Sequence, residues 1–150
     1  MFKAEKILFP TDFSECSRSV LDYVTSFAAA QKGKLYLLHV IEYEDLPRVA
    51  DSPRPEPPDA ERLKQAQEEL EGLVAKEKGL EVECLVKQGR SFNEILRTAE
   101  KMGIDIIIMA THGRTGFEHI LIGSVAERVV RRATCPVLTI KPPKEYMTRA

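Results

Sequence analysis

Five short apolar runs alternate with segments whose apolar residues recur at helical spacing, and this alternation limits the fold more than any other feature of the chain. Lys6 to Phe9 is the first run, and Pro10, which cannot extend a ladder, ends it. From Ser14 onward, Val20, Val24, Phe27 and Ala28 fall on one face of an expected helix, with Gly33 as its stop. Leu35 to Ile41 is dense enough for a strand covered on both faces. An amphipathic helix is expected from Asp59 to about Lys78, with Leu63, Ala66, Leu70, Leu73 and Val74 inward and Gly79 after it. Leu80 to Lys87 sets Leu80, Val82, Cys84 and Val86 against Glu81 and Glu83, the pattern of an edge strand with one wet face. Ser91 to Glu94 and Ser124 to Glu127 both spell capping boxes, opening helices that close at Gly103 and near Ala133. Ile104 to Met109 and Pro136 to Ile140 complete the strands. Such alternation predicts an α/β three-layer sandwich: a five-stranded parallel sheet with helices on both faces and right-handed crossovers.

A length of 150 residues suits one domain, 1–150. Residues 42–58 interrupt the pattern. They carry Pro47, Pro53, Pro55, Pro57 and Pro58, and read as a flexible proline-rich loop within that domain. The net charge of −1, from 22 basic and 23 acidic residues, supplies no field to recruit nucleic acid or an acidic membrane. Glu5, Asp12, Glu15 and Asp22 break any apolar leader, and Ile106 to Ala110 is far too short to span a bilayer. Cys16, Cys84 and Cys135 form no Cys-x-x-Cys pair and read as packed, reduced thiols of a cytoplasmic protein. His119 follows His112 by seven positions, which is no metal-binding spacing.

In open parallel sheets ligands bind beyond the carboxyl ends of the strands, where strand order reverses. Two such ends are chemically loaded. Pro10-Thr11-Asp12 follows the first strand, and Ala110-Thr-His-Gly113-Arg-Thr-Gly116 follows the fourth and leads to Gly123-Ser124. Gly113, Gly116 and Gly123 let backbone approach an oxyanion closely. Ser124 opens a helix whose first N–H groups can face phosphate, Arg114 can add a bidentate charge, and Asp12 can meet a ribose hydroxyl or a metal carried by phosphates. Each feature also has a plain structural reading: a capping box needs no ligand, and Asp12 can cap the first helix. His39, in an apolar strand, reads as a packed histidine, whereas His112 lies in the candidate site. Gly-x4-Gly-Lys-Ser/Thr is absent, and so is Gly-x-Gly-x-x-Gly after the first strand, which excludes a P-loop ATPase and a dinucleotide Rossmann domain.

Ile7-Leu-Phe-Pro-Thr-Asp-Phe-Ser14, His39-Val40, Ala110-Thr-His-Gly-Arg-Thr-Gly116, Leu121-Ile-Gly-Ser-Val-Ala-Glu-Arg-Val129 and Cys135-Pro-Val-Leu-Thr-Ile140 resemble the universal stress proteins over nearly the whole chain. The ATP-binding branch of that family carries Gly-x2-Gly-x9-Gly-Ser/Thr. Gly113 and Gly123-Ser124 match it, and Ala110 replaces the first glycine. A methyl group there is harmless if φ is negative and unwelcome if φ is positive or a phosphate lies against it. The resemblance implies a Rossmann-like sheet in order 3-2-1-4-5, of the adenine nucleotide alpha hydrolase-like kind. It places Pro10, Thr11, Asp12 and Val40 around adenine and ribose, and Met109 and Ala110 on the floor. It places Gly113, Arg114, Gly123, Ser124 and Val125 on the phosphates of ATP, with Mg or Mn, while His112 and Gly116 belong to the same loop. It also implies a homodimer through the last strand, Val137 to Ile140. The function expected is therefore an ATP-binding stress-response protein. A slow ATP hydrolase or phosphotransferase, and a nucleotide-free structural dimer, are the alternatives.

Overall fold

A computed structural model describes residues 1–42, 60–114, 117 and 119–147. The strands are β1 (Lys6–Pro10), β2 (Lys34–Ile41), β3 (Val82–Gln88), β4 (Ile106–Ala110) and β5 (Val137–Ile140). The helices are α1 (Glu15–Ser19), α2 (Leu21–Gln31), α3 (Ala60–Val74), α4 (Ser91–Met102) and α5 (Ser124–Arg132), with a short 3-10 turn at Lys144–Tyr146. All neighbouring strands are parallel, and the order is β3-β2-β1-β4-β5, as expected. The chain starts in the middle strand, builds outward through β2 and β3, then crosses to the other side of β1. The reversal therefore falls between β1 and β4.

Alternation along the strands loads both faces. Ile7, Phe9, Leu35 and Leu37 join Val20, Val24, Ala28 and Leu70 in one cluster. Leu8, Leu38, Val40 and Ile107 join Ile95, Ala99, Ala126 and Val129 in the other. Phe9, Leu8, Leu38 and Ile107 are among the fully buried side chains, each worth about 1.5–3 kcal/mol of burial. With α2 and α3 covering one face and α4 and α5 the other, the three layers follow from sequence period alone.

Several boundaries differ from the sequence reading, and each has a local cause. The first helix is two: Ser14 caps α1 by accepting from the Ser17 N–H, and the ladder breaks at Val20. Its end is set by Lys32, in the left-handed region at φ 54°, and not by Gly33. Gly33 has another task, since a Cβ there would lie 2.5 Å from the Ala4 carbonyl oxygen. β4 begins at Ile106 because the Asp105 carboxylate accepts from the N–H groups of Glu5 and Lys6 and ties the strand starts together. α3 ends at Val74, short of Lys78. Neither capping box forms. Arg90 and Gly123 occupy the N-cap positions, Ser91 and Ser124 are the first helical residues, and no side chain of the N-cap residue bonds either helix end. Of the proline-rich loop, residues 43–58 lie outside the described residues.

Candidate functional site

Beyond the carboxyl ends of β1, β2 and β4 opens a cavity of about 440 Å³. Its walls include Pro10, Thr11, Asp12, Val40, Met109, Ala110, His112, Gly113, Arg114, Gly123, Ser124 and Val125. These are all the residues expected at the site except Gly116, which lies outside the described residues. The reversal of strand order explains the opening: the chain leaves β1 and β4 toward opposite faces, and among the described residues nothing fills the cleft between the two exits.

The turn after β1 is fixed from within. The Thr11 N–H donates to the Leu38 carbonyl, and the Thr11 carbonyl bonds His39 Nδ1 at 2.9 Å. Thr11 Oγ1 accepts from the Phe13 N–H and from the buried Ser17 hydroxyl. Phe13 has φ 63°, a rare conformation for an aromatic residue, and its ring stacks on His39 at 4.2 Å. His39 is thus a packed histidine, and burial holds its imidazole below the ordinary value of 6.5. This scaffold presents the Asp12 carboxylate, whose Oδ1 accepts from the Ser14 N–H at 3.0 Å.

The segment after β4 faces it. Ala110 is a strand residue paired with Ile140, and its φ is negative. The methyl group in place of the motif glycine therefore carries no backbone strain. The Gly123 N–H donates to the Thr111 carbonyl at 2.6 Å and closes the base of the loop. His112 closes it again from inside: Nε2 donates to the Ile120 carbonyl and Nδ1 accepts from the Thr111 hydroxyl. Both ring nitrogens are spent on the loop, so His112 contributes backbone to the cavity wall. Gly113 is where backbone must come close, since a Cβ would sit 2.5 Å from Asp12 Oδ2. The first turn of α5 points at the same space with no side-chain cap from Gly123, and among the described residues its N–H groups and positive dipole end are available to an anion.

A profile of the universal stress protein family matches residues 3–141. The chain belongs to that family. It is 34% identical over 143 residues to Universal stress protein MJ0531 of Methanocaldococcus jannaschii, covering 94% of this chain and 84% of that one. Universal stress protein MJ0577 of the same organism is 33% identical over 153 residues, covering 91% and 94%. The solved structure of MJ0577 superposes with TM-score 0.75 at 31% identity over 93% of this chain and 97% of that one. Two more distant universal stress protein structures share the fold. One is a complex with cAMP, at TM-score 0.67, 19% identity and coverage of 94% and 100%. The other, from Archaeoglobus fulgidus, is a complex with dAMP, at TM-score 0.64, 22% identity and coverage of 94% and 100%.

In this universal stress protein the cavity also takes in Ser17, Leu38, Glu42, Ser91, Ile95, Thr111 and Ala126, which sequence reasoning did not place there. Leu38, Ile95 and Ala126 belong to the core beneath it, and their periodicity signals only burial. Glu42 and Ser91 meet because β2 runs past the end of β1, and nothing local in the sequence pairs them. Among the described residues no group of three or more His, Cys, Asp or Glu side chains comes together as a metal site, and no helix is long and apolar enough to cross a membrane. All three cysteines are free, and burial pushes each thiol up, away from the thiolate that reactivity needs.

Proposed function

We propose that this universal stress protein holds ATP in the cavity between β1 and β4 and acts as a binding module. The observation that carries the reading is the cavity itself, where the uncapped first turn of α5 and the close-packed Gly113 share a wall with an apolar floor of Val40, Met109 and Ala110. Helix end and glycine suit phosphates, and the floor suits a base. Two relatives are solved in complex with cAMP and with dAMP, which supports an adenine nucleotide as the class of ligand.

Backbone geometry favours adenine. Along β2 the Ile41 carbonyl serves the β3 side, where the Gly89 N–H donates to it, and the Leu38 carbonyl serves the β1 side, where it accepts from Thr11. By alternation Val40 directs its N–H and C=O to the β1 side, past the last paired residue, Pro10. A donor beside an acceptor at that point complements N1 and the amino group of adenine. Guanine presents the reverse pair. Mg²⁺ riding on phosphates needs only one or two protein carboxylates, and Asp12 is placed to be one.

Binding is favoured over turnover because the imidazole of His112, the nearest candidate base besides Asp12, is held at both nitrogens. The dimer belongs to the same proposal. β5 is an edge strand, and Leu138 and the α5 residue Val130 are exposed at 40% and 48%. A second copy pairing along Val137 to Ile140 would cover them.

The test is thermal unfolding of nucleotide-stripped protein with and without Mg-ATP, beside Ser124→Glu. Ser124 is exposed. A carboxylate at the first helical position stabilises the helix while repelling phosphate, so fold and binding separate. ATP at a hundredfold excess over Kd stabilises by about 2.7 kcal/mol, or roughly 5 to 11 °C. That rise is expected in wild type and is absent in Ser124→Glu. Equal rises in both would refute phosphate binding at α5.

A further inference from the structure

Two helix N-termini, not one, open on the cavity. Ser91 at the start of α4 lines it on the β2 side, and Ser124 at the start of α5 lines it on the β4 side. Neither has a side-chain bond from its own N-cap residue. Judged by the helix ends alone, both would take phosphate equally well.

Glu42 breaks the symmetry. β2 continues beyond the last β1 pair to Ile41, and Glu42 follows with its side chain on the Val40 face, toward α4. Its Oε1 accepts from the Ser91 N–H at 2.9 Å across 49 residues of sequence. A second carboxylate, Glu94, lies in the first turn of α4 against Gly89 and pairs with Arg97. The nearby cations are Arg90, which precedes the helix, and Arg128, which sits over the Phe92 ring at 4.9 Å. At the α5 end the only first-turn carboxylate, Glu127, is exposed and paired with Arg131, while Arg114 lines the cavity and Asp12 stands across it. Among the described residues, one helix end thus carries an internal anion and the other does not.

The geometry points to Glu42 as the polarity-determining residue of this cavity: its carboxylate occupies the α4 N-terminus, leaves α5 as the one helix end open to phosphate, and so fixes which way round a nucleotide binds. The assignment rests on the nucleotide-site reading above. It gives a reason why the phosphates stay away from the side on which Val40 receives the base, and it adds that ligands bearing a phosphate at both ends are rejected.

The test uses the ¹⁵N-labelled full chain titrated with inorganic pyrophosphate, which has no base to bias its direction. In wild type the amides of Ser124, Val125 and Ala126 shift and those of Ser91, Phe92 and Asn93 do not. In Glu42→Ala both sets shift, the α4 set with affinity raised about tenfold or more over wild type. Should Glu42→Ala unfold, Glu42→Gln removes the charge but keeps an acceptor on Ser91, and the α4 amides must then respond to pyrophosphate with a smaller rise in affinity. A response of the α4 amides in wild type overturns the assignment, and so does their silence in the folded variant. If the α5 amides stay silent throughout while the α4 amides respond only in the variant, Glu42 keeps its role and the phosphate site at α5 fails.

Discussion

Gly113→Ala tests the tightest contact in the site. The added Cβ would lie 2.5 Å from Asp12 Oδ2 and 3.5 Å from its Cγ, with no backbone atom of another segment that near. Turning the Asp12 carboxylate relieves the collision, and Asp12 Oδ1 holds the Ser14 N–H at 3.0 Å. A hydrogen bond to a charged acceptor is worth about 1.5 to 3 kcal/mol. Replacing a glycine whose φ is negative returns about 0.4 to 1 kcal/mol by restricting the unfolded chain. The net expectation is a loss of about 1.5 kcal/mol, or about 3 to 6 °C in Tm for a chain of this size.

The assay is urea and thermal unfolding of nucleotide-free wild type, Gly113→Ala, Asp12→Ala and the double variant. Asp12→Ala removes both oxygens, so Gly113→Ala should be neutral or slightly stabilising in that background. The coupling between the two sites should then exceed about 1 kcal/mol. If Gly113→Ala costs the same in both backgrounds, Asp12 is not what the methyl group strikes, and the close approach of these two segments is wrong.

Ala110→Gly should destabilise by about 0.5 to 1 kcal/mol, since it loosens a strand residue whose φ is already negative. It should not tighten ATP; equilibrium dialysis showing markedly stronger binding would mean that the methyl group does obstruct the ligand. His39 gives a pH dependence. Burial first, and then the Arg114 charge, hold its imidazole below 6.5, against the Thr11 carbonyl bond that favours the cation. The unfolded chain therefore takes up its proton first as pH falls through 6.5, and stability drops from there downward. His39→Gln should flatten that part of the urea midpoint against pH, and an unchanged slope would assign it to other groups. Thr139→Pro separates fold from assembly. The Pro136 and Ile140 carbonyls accept from β4 and its following residue, so by alternation the Thr139 N–H points away from the sheet. Proline there should leave the monomer folded and abolish a β5-paired dimer in sedimentation velocity; a dimer that persists would place the interface elsewhere.

The sheet was legible because strand and helix periods differ, and because every strand carries enough apolar residues to fix its faces. Helix ends were less legible. Gly33 and both capping boxes follow the usual rules of sequence, yet Lys32 takes the left-handed position and Glu42 takes the Ser91 N–H. Two of these residues meet groups distant in sequence: Gly33 packs against the Ala4 carbonyl, and the Ser91 N–H bonds the Glu42 carboxylate. The cavity wall could be read where it comes from turns after strands, as at Asp12 and Gly113. Glu42 and Ser91 could not be read, since their meeting depends on β2 outrunning β1.

The motif glycines of this family member do different work from what the word glycine suggests. Neither Gly113 nor Gly123 has positive φ. A Cβ at Gly113 would meet the end of the Asp12 side chain, which must turn aside, whereas a Cβ at Gly123 would stand 3.2 Å from the Thr111 backbone carbonyl, which must give by a few tenths of an ångström. At Ala110 the backbone is plain strand and tolerates a side chain. A position in such a motif should then be ranked by what its Cβ would meet and not by its match to a pattern. On that ranking the single departure from the motif in this chain falls where the backbone accepts a side chain without strain.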